Sequence, residues 1–157
     1  MDPINIREPI KLKCDLPLEA ASAMIDAALS SARASDLHPL TVVVLDRGGH
    51  IIALKREDGS SNLRVEVAVG KAWGALGMGM PSRGVVERLG DSEPMLNALA
   101  VASGGRFVPL PGGVLIADGE GAVIGAVGVT GDGSEADEKC AIDGIKAAGF
   151  QAIPDPA

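Results

Sequence analysis

The sequence predicts an α+β domain in α/β/α layers: a central antiparallel sheet of about five strands with helices packed on it. Three observations predict it. Apolar residues at helical spacing alternate along the chain with β-branched runs. Those runs come in two pairs, each joined by a short Gly-containing turn, and tight turns favour antiparallel pairing. Hydrophobic residues make up 46% of the chain and aromatics only 2%, so Ala, Val, Leu and Ile must build the core, which suits close packing of helices on a sheet. At 157 residues the chain is long enough for one such core and shows no internal boundary. Residues 1–14, with Pro3 and Pro9 and no helical period, read as an arm before a single domain over 15–157.

The first helix begins near Asp15-Leu16-Pro17-Leu18-Glu19, which offers a capping side chain, a proline for the first turn and an acid near the positive helix end. Leu18, Ala21, Ile25, Ala28, Leu29 and Ala32 form its apolar stripe, and it stops before Pro39. Thr41 to Leu45 is a buried strand, Asp46-Arg47-Gly48-Gly49 a turn, and His50 to Arg56 the returning strand. A second helix runs from about Asn62 to Met78, with Val65, Ala68, Val69, Ala72, Trp73 and Leu76 on one side, and Pro81 closes it. Residues 84–102 read as a short helix and a longer one that holds Met95, Leu96, Leu99 and Ala100. Val114 to Ala117, the turn Asp118 to Gly121, and Ala122 to Thr130 make the second hairpin. The last helix starts at Ser134, where Ser134-Glu135-Ala136-Asp137 resembles a capping box with Asp for the usual Glu, and ends at Gly149.

Several function classes are disfavoured. A net charge of −7 repels nucleic acid and anionic membrane, and three aromatic residues give no base-stacking platform. No apolar run approaches the roughly 18 residues of a membrane span. No apolar segment follows the charges of the N-terminal residues, so a cytoplasmic protein is expected. Cys14 and Cys140 fit no metal spacing and read as ordinary buried thiols. No phosphate-binding loop, Gly-x-Ser-x-Gly elbow, zinc-type His cluster or dinucleotide fingerprint occurs.

The densest local signal is Gly104 to Ile116. Two glycine pairs bracket Pro109 and Pro111, and a strand follows at once. Glycine is required where φ is positive or another group must touch the backbone, and proline stiffens what lies between. The segment reads as the wall of a small-molecule pocket. Lys71 lies seven residues after Arg64, on the same helix face as Val67, Gly74, Ala75 and Met78, with no acid among them. Such a cation can meet an anionic ligand, or it can snorkel past alanines into water. His50, just past a Gly-Gly turn, is a candidate acid, base or axial iron ligand, whereas His38 reads as exposed. Capping accounts for Asp137, leaving Glu138 free to act as a general base. Gly125 and Gly128 fall on opposite faces of one strand, so a helix on one side and a ligand or partner subunit on the other would explain both.

The chain resembles the GlcG/HbpS group, also called domain of unknown function 336, which includes the C-terminal domain of PduO-type proteins. The match spans roughly residues 14 to 150. It rests on Leu18-Glu19-Ala20-Ala21, Val44-Leu45-Asp46-Arg47-Gly48-Gly49-His50, Gly70-Lys71-Ala72-Trp73, the Gly104 to Gly113 loop, Ile124 to Gly131 and Asp137-Glu138. The resemblance implies an α/β/α domain, assembly into a homo-oligomer, and binding of heme or a related tetrapyrrole. On that basis the ligand's carboxylates are expected at Lys71, Arg64 and Arg106, with amides of Gly112 and Gly113 assisting and His50 on the iron. The competing expectation is a cofactor-independent isomerase, tautomerase or lyase of a small organic acid. There Lys71 would hold the anion, and Glu138 or His50 would move the proton.

Overall fold

A computed structural model describes residues 3 and 5–156. In chain order the elements are α1 (Leu18–Ala34), β1 (Thr41–Asp46), β2 (Ile51–Arg56), α2 (Arg64–Met78), α3 (Ser82–Leu89), α4 (Glu93–Ala102), β3 (Gly113–Ala117), β4 (Val123–Thr130), α5 (Ser134–Ala147) and β5 (Gln151–Ile153). The strands form one sheet of order β2-β1-β4-β3-β5, antiparallel throughout. Residues 1–14 contain no helix or strand among those described.

Strand alternation divides the core in two. Val42, Val44, Val114, Ile116, Val127 and Val129 pack against Ala21, Met24, Ile25 and Ala28 of α1 and Ala141 and Ile145 of α5. Val43, Leu45, Leu115 and Ala126 meet Ala68, Ala72 and Ala75 of α2 on the other face. Three layers result. Each fully buried Val, Leu or Ile stabilises the domain by roughly 1.5–3 kcal/mol relative to exposure. The alanines of α2 contribute less by area, but they let the helix lie close to the sheet.

Three local readings change. β5 is a strand of three residues pairing with Leu115, Ile116 and Ala117. It is too short for alternation to reveal it. His50 precedes β2 instead of opening it. Gly125 makes room neither for a ligand nor for a partner subunit: a Cβ there would lie 2.4 Å from the Leu45 carbonyl oxygen and 2.9 Å from Leu16 Cδ2. Leu16, at the entry to α1, needs that space.

α4 is the exception to inward packing. Met95, Leu96, Ala98, Leu99, Ala100, Val101 and Ala102 make it apolar on every side, yet none of its residues is buried.

Candidate functional site

At the C-terminal end of β4, the central strand, the two helical layers meet around the end of the sheet. Lys71 of α2 reaches this point with only 2% of its surface exposed. Its Nζ donates to the Val129 carbonyl at 2.9 Å and to Asp137 Oδ2, from the first turn of α5, at 3.1 Å. Asp137 Oδ1 accepts the Asp132 amide at 3.0 Å. Asp137 is therefore the counter-ion of Lys71 and makes no side-chain cap; Gly133 is the N-cap. Burial pushes the Lys71 ammonium down, Asp137 partly offsets that, and the Arg64 charge adds to the depression. Burial likewise pushes the Asp137 carboxyl up against the pull of Lys71.

The Gly/Pro loop closes over this pair. Gly112 has φ +123°, and a Cβ there would lie 2.6 Å from the Val129 oxygen and 3.0 Å from Lys71 Nζ. At Gly113 a Cβ would approach the Lys71 carbonyl oxygen to 2.2 Å. Ser82 Oγ accepts the Gly113 amide at 2.8 Å, so that amide already has a partner within the chain. Only glycine permits this approach of loop to helix. The loop and the cationic helix do converge, but Asp137 stands where the sequence reading puts an external anion.

A second ion pair runs beside the first. Arg83 of α3 places Nε 2.7 Å and Nη2 2.6 Å from Glu138 Oε2, while the buried Oε1 has no hydrogen-bond partner. Glu138 holds Arg83 firmly protonated. Arg64 is half-buried and gives Nη1 to Thr130 Oγ1 at 2.9 Å. Arg106 stacks over Trp73, 4.2 Å from the ring centroid, and its Nε donates to the Ser103 carbonyl.

His50 lies elsewhere. Asp46 pairs with Gly125 and Lys71 touches Val129, so four strand residues, roughly 13 Å, separate the two neighbourhoods. Lys71, Glu138 and His50 do not share one cavity. The His50 ring is 81% exposed, and its Nδ1 stands 3.2 Å from Asp46 Oδ1. The same carboxylate oxygen accepts the amides of Gly48 and His50. Burial works against ionisation of Asp46, but those two N–H groups and the nearby imidazole outweigh it and hold the carboxyl below its usual value. His50 borders a cleft of about 490 Å³ between the N-terminal arm and the β1–β2 hairpin. Leu12, Leu16, Leu18, Ile52 and Ile124 line it, with Lys13 and Arg47 among its cations. Both cations pair with Asp15, at 3.1 and 3.4 Å. Cys14 also lines this cleft, exposed and not buried as read from sequence, with Sγ donating to the Leu16 carbonyl.

Sequence reasoning missed three of these residues. Asp46 carried a usable signal, since Asp-x-Gly-Gly-His places a carboxylate where it can accept turn amides and face the histidine. Asp137 and Arg83 carried none, because their partners lie 66 and 55 residues away. Among the described residues no group of three or more His, Cys, Asp or Glu could hold a metal ion, and no helix is long and apolar enough to cross a membrane.

Known proteins with this fold include a PduOC–heme complex, 24% identical with a TM-score of 0.76 over 86% of this chain and 96% of that one. A double mutant of HbpS from Streptomyces reticuli is 26% identical, with a TM-score of 0.74 over 95% and 98%. The ORFY protein of Klebsiella pneumoniae is 24% identical, with a TM-score of 0.77 over 94% and 97%. No curated protein sequence matches the chain. The family model described as "Haem degrading protein HbpS-like" matches residues 16–146, nearly the whole of the layered domain, and the chain belongs to that HbpS-like family.

Proposed function

We propose that this protein binds a heme-class tetrapyrrole in the cleft between the arm and the β1–β2 hairpin, with His50 as the iron ligand. One observation carries the reading: Asp46 Oδ1 accepts a hydrogen bond from His50 Nδ1–H, which fixes the tautomer and leaves Nε2 with its lone pair and no partner among the described residues. A carboxylate behind an imidazole is the usual support of a metal-binding histidine. The rest of the cleft fits the group as well. Five aliphatic side chains offer an apolar wall where aromatic rings are lacking, and Leu18 is more than half exposed. Lys13 and Arg47 each retain N–H groups beyond their Asp15 contacts, and these can take ligand carboxylates. When bound, the group would supply a redox-active iron, which His50 would hold. The family description and the heme complex among proteins of this fold support the reading. Lys71 falls outside this site, since its ammonium is already paired and closed off.

Hemin titrated into the protein is expected to give a saturable, shifted Soret band. His50→Ala should abolish or displace that band. Asp46→Asn should weaken binding by about tenfold or more while leaving the fold intact. An unchanged Soret position and affinity in His50→Ala would remove the ligand assignment.

Self-association belongs to the same proposal. A helix that is apolar on every side is ordinarily buried, and no residue of α4 is fully buried within the chain, with Val101 82% exposed. We assign α4 to a contact between copies. Light scattering should report an oligomer for the wild-type chain and a lower mass for Val101→Glu; a monomeric wild type at micromolar concentration contradicts the assignment.

A further inference from the structure

His50 has a soft mounting for a metal ligand. Its ring is exposed, so no core packing orients it, and the two residues before it are glycines. Glycine leaves the backbone its greatest freedom. A Gly-Gly turn would let the imidazole wander, unless each glycine answers a steric need and another group supplies the stiffness.

Both glycines do answer such a need. At Gly48 a Cβ would lie 2.9 Å from Cε1 and from Nδ1 of His50, and 3.2 Å from Asp46 Oδ1. The imidazole therefore rests against Gly48, in the space a side chain would take, and there Nδ1 meets Asp46. Gly49 has φ +82°, and a Cβ there would lie 2.8 Å from Trp73 Cδ1 and 3.0 Å from Trp73 Nε1. One glycine admits the histidine's own ring, and the next admits the indole edge of a residue on α2. That indole is itself fixed. Arg106 stacks on its face, and Arg106 Nε is anchored on the Ser103 carbonyl at 3.2 Å. Its neighbours Ala72 and Ala75 bind α2 to the sheet.

We propose that Trp73 is a positioning residue for His50. Its ring edge braces the Gly48-Gly49 turn from α2, while Gly48 seats the imidazole so that Nδ1 stays on Asp46 and Nε2 is left free. Trp73 does not line the cleft, so it acts on a ligand there only through the turn. The consequence for iron rests on the heme reading; the bracing itself does not. A ligand held by a supporting shell of this kind ordinarily loses about 10- to 100-fold in metal affinity when the support is removed.

Two measurements test this. Long-range proton–nitrogen NMR of the hemin-free full chain, in alkaline solution where imidazole is neutral, reports which ring nitrogen carries the proton. Hemin titration reports affinity and Soret position. The wild type should show the Nδ1–H tautomer. Trp73→Ala should shift His50 towards the other tautomer and weaken hemin binding about tenfold or more. Gly48→Ala, at a position without a positive φ, should do the same by displacing the ring. Gly119→Ala, at the other hairpin turn with open space around it, should change neither. An unchanged tautomer in Trp73→Ala overturns the proposal, as does an Nε2–H tautomer in the wild type. Should Trp73→Ala disturb the fold, Arg106→Ala, which frees the indole, is the second variant; an unchanged tautomer there also overturns it. Should the wild type bind no hemin, the tautomer still decides this proposal and only the heme reading falls.

Discussion

Asp137→Ala is expected to destabilise the protein by about 3–5 kcal/mol, because removing one partner of a buried ion pair strands the other charge away from water. Lys71 would keep only the Val129 carbonyl. Total stabilities of such domains are about 5–15 kcal/mol, so the loss is a large share. The sign of the pH dependence follows from Lys71. Burial and Arg64 already push its ammonium down, and without Asp137 nothing opposes them. Between its folded value and its ordinary 10.5, the unfolded chain binds the proton that the folded chain has shed. The stability of the variant should therefore rise with pH across that window. The double change Lys71→Met with Asp137→Ala should recover most of the loss, since an apolar side chain needs no counter-ion there. Urea unfolding at several pH values measures all three. A loss below about 1 kcal/mol in the single variant would mean that the pair is solvated, contrary to its burial.

Gly128→Ala is the second large effect. A Cβ at Gly128 would stand 2.0 Å from the Ala68 carbonyl oxygen, 2.9 Å from its carbon and 3.0 Å from Ala72 Cβ. Neither side can yield easily, because β4 is locked between β1 and β3 and the oxygen belongs to the backbone of α2. Overpacking usually costs about 1–3 kcal/mol, and a Cβ driven against a helix backbone should reach or exceed the upper end. Displacing α2 would also draw Lys71 away from Asp137, so the two effects reinforce each other. Gly119→Ala is the matched control: a Cβ there meets nothing within 4 Å, and the change should stay within about 0.5 kcal/mol. Thermal melts compare the two. Equal melting temperatures would show that α2 does not press on β4 as described.

Much of the architecture was legible because it is written in local periods. The stripe of α1, the β-branched run of β1 and the alanine face of α2 each state which side is buried. Gly112, Gly113 and Gly128 were legible as places of close approach, since glycine in a stiff loop or strand interior has few other reasons. Less could be said of what approached them. Gly125 admits Leu16, and Gly112 admits the flank of Lys71. A glycine records that space is needed; it does not name the occupant. Likewise α4 looked like any apolar helix, and only packing revealed that none of its residues is fully covered within the chain.

Alone, the amino-acid order determined the layered fold, the two hairpins, the shaped Gly/Pro turn and the presence of a histidine beside an acid-bearing turn. Those features depend on neighbours within a few residues. The tertiary structure decided which charges meet. Lys71 finds Asp137 and Arg83 finds Glu138 across 66 and 55 residues. Charge pairing acts through space, and separation along the chain does not encode it until the helices have closed around the end of the sheet.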